Sequence, residues 1–364
     1  MIESIKNLRA QLEEDILDSS KVFIIGHNSP DFDAIGSAIG LYVFTESLGK
    51  KPYIILEDDE SKFEPGVKKI IDSNRSSYRF IKKKEFMRKA DKKSLLIVTD
   101  VNKEPMIAVG DALDKVGRVI VIDHHSEDET TIPTEERFIS QEASSACEIV
   151  TRVLTLSRTP YDKDVANYLL AGISLDTKRF KQNTTDKTHE VAEKLIRNGA
   201  DIDFVNNLFL EEFESYCRIS NLIVNGTIIK KYSESLLDPI QVSFTLNRNH
   251  PEQIYIKEDY AKAADRMMKF NGMAAAFTLG FVEPGIVHIS ARSGKRVNVG
   301  KIMKEMGGGG NAQSAGGRIE TEDIFTVEQE LMQKVPFGLS EEEEIIDEPP
   351  VIKVKQVGRL KRES

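Results

Sequence analysis

The alternation of apolar and polar positions predicts strands and helices taking turns over the first half of the chain. Residues 1–20 carry apolar side chains at helical spacing between charged ones and predict an opening amphipathic helix, with Ser19 or Ser20 separating it from the first strand. Val22–Ile25 is wholly apolar and predicts a buried strand. It ends in the turn-rich stretch GHNSPDFD before a helical pattern runs from Ala34 to about Leu48. PYIIL, LLIVTD and VIVID read as further strands, with a charged segment before LLIVTD and a helix expected around Met106 to Val116. Near-continuous apolar strands alternating with helices predict an α/β fold: a parallel sheet covered by helices on both faces. Ligands of such sheets sit at the carboxyl ends of the strands.

Beyond an acid- and Thr-rich loop the pattern turns helical. ASSACEIVTRVL, DVANYLLAGISLDTKRF and DKTHEVAEKLIRNGAD each predict a helix, the last stopped by Gly199, and more helix follows to about Asn225. The polar stretch KKYSESLLD reads as a linker. A smaller α/β domain then opens with IQVSFTL and a helix near Asp259 to Phe270. AAAFTLGFV and IVHISARS are strand-like runs joined at Glu283, Pro284 and Gly285, a hairpin turn. VNVGKIMKEM leads into GGGGNAQSAGG and a closing helix near Val327 to Val335. The expected organisation is therefore a first domain over 1–229, a linker over 230–239, a second domain over 240–339 and a disordered charged tail over 340–364.

Composition narrows the class. A chain of 364 residues has room for two domains and a sizeable core. With 40% hydrophobic residues and no Trp, it holds no apolar run of the roughly 20 residues a membrane helix needs, so no membrane segment is expected. The charged, periodic N-terminus is unlike a signal peptide, and with two cysteines, Cys147 and Cys217, a reducing cytoplasm is the default location. A net charge of -9 argues against coating long nucleic acid and leaves room for a small anionic substrate held at a metal.

Candidate chemistry gathers at three strand ends. The first strand delivers His27, Asp31 and Asp33 into one loop; LLIVTD ends at Asp100; VIVID ends at Asp123, followed at once by His124 and His125. Carboxylates with neutral imidazoles suit Mn²⁺ or Mg²⁺ and are compatible with Zn²⁺ or Co²⁺, while the scarcity of thiolates argues against a soft-metal site. A two-metal phosphate centre wants a bridging carboxylate, a role for which Asp100 is placed, with Asp31 and Asp33 serving one ion each. Asp33 would equally make a good N-cap for the helix at Ala34. Arg179 could pair bidentately with a phosphate or be a solvated surface arginine.

HNSPDFDAIGS, TDVN, the triplet Asp123 to His125 and SLDTKRF, followed by GGGGNAQSAGG, resemble the DHH phosphoesterase superfamily with its DHH-associated C-terminal domain. The resemblance implies two domains with an active-site cleft between them and two Mn²⁺ ions per chain, with Mg²⁺ or Co²⁺ as substitutes. It would give His27, Asp31 and Asp100 to one ion, and Asp33, Asp100, His124 and Asp176 to the other. His125 would face the phosphate and Asp123 would orient its neighbours. Gly307, Gly308, Gly309 and Gly310 would let backbone N–H groups approach an anion or base, with Arg292 and Ser293 as a phosphate-binding element beside them. Asn311 departs from the family, whose members carry a histidine there. LLAGISLDTKRF and SARSGKRVNVGKIMKEMGGGG are most similar to cyclic-di-AMP phosphodiesterases of the GdpP type. The expected reaction is in-line hydroxide attack that opens cyclic di-AMP to pApA, continuing to AMP in some members. The alternatives are an NrnA-type oligoribonuclease and 3′-phosphoadenosine 5′-phosphate phosphatase, a manganese pyrophosphatase, and a nucleotide sensor with reduced turnover. The expected partner is a small nucleotide, a cyclic dinucleotide or short oligoribonucleotide, and a homodimer is compatible with the chain.

Overall fold

The computed structural model describes residues 2–60, 63–232, 240–247 and 255–339. The chain divides into two compact units, Met1–Leu210 and Glu211–Ser364. In the first, α1 (Ile2–Asp18), β1 (Val22–Ile25), α2 (Phe32–Ser47), β2 (Tyr53–Leu56) and α3 (Pro65–Ser73) lead to β3 (Phe80–Lys82), α4 (Lys83–Lys89) and β4 (Leu95–Thr99). Then come β5 (Arg118–Asp123), β6 (Arg137–Ile139), α5 (Ala146–Ser157), α6 (Lys163–Asp176), α7 (Asp186–Arg197) and α8 (Ile202–Leu208). The strands form one parallel sheet in the order β3-β2-β1-β4-β5-β6.

Burial explains the continuous apolar strands. Along β1, Val22 and Ile24 enter the core on one face while Phe23 and Ile25 enter the core on the other. Each side chain so buried contributes about 1.5–3 kcal/mol, so a strand with both faces covered has no polar position to spare. β1 lies between β2 and β4: successive strands step one way from it to β3 and the other way to β6. The carboxyl ends of β1 and β4 therefore flank a topological switch point, where the chain leaves a crevice.

Two expectations fail in this unit. The helix expected around Met106 to Val116 is a pair of 3-10 turns, Glu104–Met106 and Gly110–Lys115, the second kinked at Ala112, φ -133°. Gly110 sits where a Cβ would lie 2.1 Å from the Glu104 carbonyl, so the backbone doubles back on itself instead of coiling on. β3 and β6 fall in segments with no strand signal, because three-residue edge strands are too short to show a period of two.

The second unit holds α9 (Phe213–Gly226), β7 (Thr227–Tyr232), β8 (Ile240–Leu246), α10 (Lys257–Met267), β9 (Met273–Glu283) and β10 (Ile286–Ser293). It continues with α11 (Val299–Glu305), β11 (Gly309–Gly310), β12 (Ser314–Glu320) and α12 (Ile324–Lys334). Its sheet runs β11-β12-β10-β9-β8-β7, parallel only between β8 and β9. Val242, Phe244, Phe277 and Ile289 pack with Ile302 and Leu331 from α11 and α12. Ile219 and Leu222 of α9 pack with Tyr260 and Ala263 of α10.

That packing moves the domain boundary. The sequence pattern places everything to residue 229 in the first domain, yet the apolar stripe of α9 is buried in the second unit, which starts at Glu211. The linker is also shorter than expected, since Lys230 and Lys231 form the end of β7 and Tyr232 pairs with Ile240. Exposed lysines on an edge strand look like linker in sequence because an edge needs charge to stay unpaired. Residues 233–239 and the tail expected over 340–364 lie outside the described residues. Among the described residues no helix is long and apolar enough to cross a membrane.

Candidate metal centre

The switch point collects the side chains that the strand ends deliver. His27 follows β1 by two residues, and Asp31 is the N-cap of α2: its Oδ1 accepts from the N–H groups of Asp33 and Ala34 at 2.9 and 3.0 Å. The cap that the sequence allows to Asp33 thus falls on Asp31, whose second oxygen lies 3.6 Å from His27 Nε2. Asp33, in the first turn, is fully buried and reaches another helix. Its Oδ2 accepts from the Ala146 N–H at 2.7 Å and its Oδ1 from the Cys147 N–H at 2.8 Å, both at the N-terminus of α5. Asp100 follows β4 in the left-handed region, at φ 60°. A non-glycine residue is held there at a cost of roughly 1–2 kcal/mol, and such strain collects at functional sites. Asp123 ends β5, and Asp176 ends α6.

These side chains meet in three overlapping sets that share Asp100, one of them Asp100, Asp123, His124 and His125. His27, Asp31 and Asp100 form the second, and Asp33, Asp100, His124 and Asp176 the third, with ligand atoms of each set within 4.8 Å of one another. His27 Nε2 lies 3.6 Å from Asp100 Oδ2, while His124 Nε2 lies 3.1 Å from Asp176 Oδ2, 3.4 Å from Asp100 Oδ1 and 3.8 Å from Asp33 Oδ2. Asp100 Oδ1 and His124 Nε2 are buried and hydrogen-bonded to nothing among the described residues. Buried polar atoms that face one another without bonding fit a cation between them. The donor set of carboxylates and imidazoles suits a hard or borderline divalent ion. Cys147 does not join it: burial and the neighbouring Asp33 push its thiol well above its ordinary pKa, and Sγ contacts the Asp33 carbonyl oxygen at 3.5 Å.

Electrostatics describe the same deficit of positive charge. Burial and the charges of Asp33 and Asp31 push Asp100 up to about 8, and burial with Asp33 pushes Asp176 up to about 6. Burial disfavours a charged His124, but Asp100 and Asp176 outweigh it and raise the ring to about 11. His27 is raised well above its ordinary value by Asp100 and Asp31 against the same burial. Four carboxylates and two imidazoles in one buried space need protons or a metal to balance them.

His125 belongs to the set with Asp123 and His124, its Nδ1 3.8 Å from Asp100 Oδ1. Its Nδ1 lies 2.9 Å from Asp123 Oδ1, an oxygen that also accepts from the His124 N–H at 2.7 Å. The side chain is 56% exposed, and the Asp123 carboxylate raises its pKa. Asn102, part of the TDVN motif but given no role by sequence, donates its amide to the carbonyl oxygens of His125 and Ser126 at 3.2 and 3.4 Å. Asp31, His124, His125 and Asp176 line an open cavity of about 950 Å³, with Lys178 also on its wall. Arg179 turns elsewhere, its guanidinium 5.4 Å from the centre of the Phe209 ring. Lys178, Arg179 and Phe180 are all left-handed, with φ of 47°, 60° and 60°, so the turn after Asp176 sends neighbouring side chains in directions that helical spacing does not foretell.

In the second unit Arg292 pairs with Ser314 across β10 and β12, and Gly310 pairs with Ala315, so the expected substrate residues share one corner of the sheet. Arg292 Nε donates to Asp265 at 3.0 Å, and Ser293 Oγ to the Ala312 carbonyl at 3.0 Å. Asn311 Oδ1 accepts from the N–H groups of Gln313 and Ser314 at 3.0 and 2.8 Å, which commits its oxygen to the turn. Gly308 and Gly310 are needed for close packing, because a Cβ would meet Gly316 O or Ala315 Cα at 2.4 Å. Gly309 has open space where its Cβ would be and an ordinary φ.

Comparison with known proteins identifies both domain types. Residues 21–173 match the DHH family, N-terminal domain, and residues 240–335 match the DHHA1 domain. The cyclic-di-AMP phosphodiesterase GdpP of Bacillus subtilis is 31% identical over 311 residues, 84% of this chain and 46% of that protein. The bifunctional oligoribonuclease and PAP phosphatase NrnA of Thermus thermophilus is 25% identical over 324 residues, covering 86% of this chain and 89% of its own. The chain spans about half the length of the cyclic-di-AMP phosphodiesterases it matches. An exopolyphosphatase-related protein from Bacteroides fragilis has the same fold, with a TM-score of 0.70 at 23% identity over 91% of this chain and 97% of its own. With both domain types present in order and the triplet Asp123, His124 and His125 at the end of β5, the chain belongs to the DHH family.

Proposed function

We propose that this chain is a phosphodiesterase that opens cyclic di-AMP to pApA with two divalent ions, manganese first, and magnesium or cobalt as substitutes. The observation that carries the reading is the pair of ligand sets sharing one buried carboxylate, Asp100. His27, Asp31 and Asp100 would hold one ion, and Asp33, Asp100, His124 and Asp176 the other. When bound, such ions supply Lewis-acid charge at a phosphoryl group. The relatives named cyclic-di-AMP phosphodiesterase support the substrate. A cytoplasmic location and a homodimer belong to the same reading.

The chain's own residues divide the remaining work. Asp123, bonded to His125 Nδ1, orients the ring and favours its protonated form, so that Nε2 faces the substrate as a proton donor to the leaving oxygen. Lys178 on the cavity wall supplies positive charge to a phosphate there, a task that sequence alone suggests for Arg179. In the second unit Arg292, Ser293, Gly307–Gly310 and Asn311 would grip the nucleotide. Gly309 supports this, because neither packing nor backbone conformation asks for glycine at that position.

A second reading, hydrolysis of short linear oligonucleotides and of 3′-phosphoadenosine 5′-phosphate, is favoured by one observation: NrnA is matched over 89% of its own length. Purified protein with Mn²⁺, given cyclic di-AMP, pApA, a short RNA, 3′-phosphoadenosine 5′-phosphate and pyrophosphate side by side, separates the readings. pApA released from cyclic di-AMP is the expected outcome. Consumption of the linear substrates alone would favour the second reading, binding without product a sensor, and cleavage of pyrophosphate alone would overturn both phosphodiester readings.

A further inference from the structure

Asp33 is held by groups that are themselves held. Both its oxygens accept from the first two N–H groups of α5, and the start of α5 is pinned by Glu148. Glu148 is fully buried. Its Oε2 accepts from the Ser144 N–H at 3.1 Å, the Ser144 hydroxyl at 2.6 Å and the Thr188 hydroxyl at 2.8 Å, and its Oε1 pairs with Arg152. Thr188 Oγ1 in turn accepts from the Thr185 N–H at 3.1 Å, closing the capping box of α7. Ser144 and Thr185 both line the cavity beside His124 and Asp176.

Simple helix capping does not account for Glu148. Ser145 already caps α5, its hydroxyl accepting from the Glu148 N–H at 3.0 Å. In a reciprocal capping box the third-residue acid returns to the N–H of the cap itself. Here the carboxylate reaches one residue further back, to Ser144, and across to a different helix. Asp33 also lies close against α6, where a Cβ on Gly172 would lie 2.7 Å from its Oδ1.

We propose that Glu148 is a positioning residue: it fixes the first turn of α5 so that two N–H groups hold Asp33 toward His124 and Asp176, and it ties that grip to the α7 wall of the cavity. The inference rests on the dinuclear reading of the site. Outer partners of metal ligands typically contribute about 10- to 100-fold in metal affinity.

The test is Mn²⁺ binding, followed by electron paramagnetic resonance, to the wild type, Glu148→Ala, Glu148→Gln and Thr188→Val, with metal-free thermal melts to verify folding. The wild type binds two ions. Glu148→Ala keeps the ion of His27, Asp31 and Asp100 and binds the other about 10- to 100-fold more weakly. Glu148→Gln, which keeps an acceptor oxygen, recovers most of that loss, and Thr188→Val shows a smaller loss at the same ion. Should Glu148→Ala fail to fold, Thr188→Val decides, since it removes one hydroxyl, with its bond to Glu148 and its part in the α7 capping box, and leaves Glu148 itself in place. Unchanged affinity at both ions in the folded variant, or equal weakening of both, overturns the inference and leaves the dinuclear reading standing; a wild type that binds no ion overturns both.

Discussion

Single residues at the centre answer conflicting demands. Asp100 is buried among like charges and held in a left-handed conformation, so nothing in folding alone favours a carboxylate there. Replacing Asp100 with Ala is expected to abolish binding of both ions and lower kcat at least about 1000-fold, while the metal-free melting temperature stays level or rises. Metal titration, turnover and a circular-dichroism melt check this; wild-type turnover in that variant would refute the shared role. Asn311 faces the opposite situation, with its oxygen already employed in a turn. Asn311→Ala releases that turn at a cost of about 1 kcal/mol, and KM is expected to rise about fivefold with kcat nearly unchanged. Steady-state kinetics on the nucleotide substrate read the split.

Between elements, what matters is how closely the helices approach. α2, α5 and α6 meet where Gly36 and Gly172 leave no space: a Cβ on Gly172 would meet Cys147 Sγ at 2.4 Å and Asp33 Oδ1 at 2.7 Å. Gly172→Ala is expected to destabilise the first unit by about 1–3 kcal/mol through overpacking and to weaken the Asp33 ion by displacing its carboxylate. A melt and a metal titration on the same sample separate the two effects, and an unshifted melt with full affinity would mean that the helices yield. The elements themselves were readable because strands with both faces buried run apolar, as β1 does throughout and β4 does from Leu95 to Val98. The 3-10 turns near Met106 were not, since their apolar spacing mimics a helix and only the return of the backbone at Gly110 rules one out.

On the scale of the whole molecule, the two units carry electrostatic burdens of different kinds. The first concentrates acids that a cation relieves, so adding Mn²⁺ at about 100 times Kd is expected to stabilise it by about 2.7 kcal/mol for each ion bound, or about 5–10 °C in Tm per ion, reversed by a chelator. Scanning calorimetry with and without the chelator measures the shift. The second unit buries His288, which burial and the charges of Lys257 and Arg318 lower from 6.5 to about 4. The unfolded chain takes up that proton first, so the stability this neutral imidazole represents is present above pH 6.5 and is lost as pH falls toward 4, on the order of 3 kcal/mol. Denaturant melts across that range should show the decline in the wild type and a flatter profile in His288→Gln.

By itself the sequence determined the α/β class, the four inner strands of the central sheet and the residue types at their ends, because burial on two faces and the chemistry of imidazoles and carboxylates are properties of short stretches. It could not say that Asp31 caps α2 while Asp33 accepts from the first N–H groups of α5, that α9 belongs with the second unit, or that Lys178 and not Arg179 lines the cavity. Those were decided by the tertiary structure. Asp33 and Ala146 are 113 positions apart in the chain, and a hydrogen bond over that distance is set by where packing brings two helices together, which no local spacing encodes.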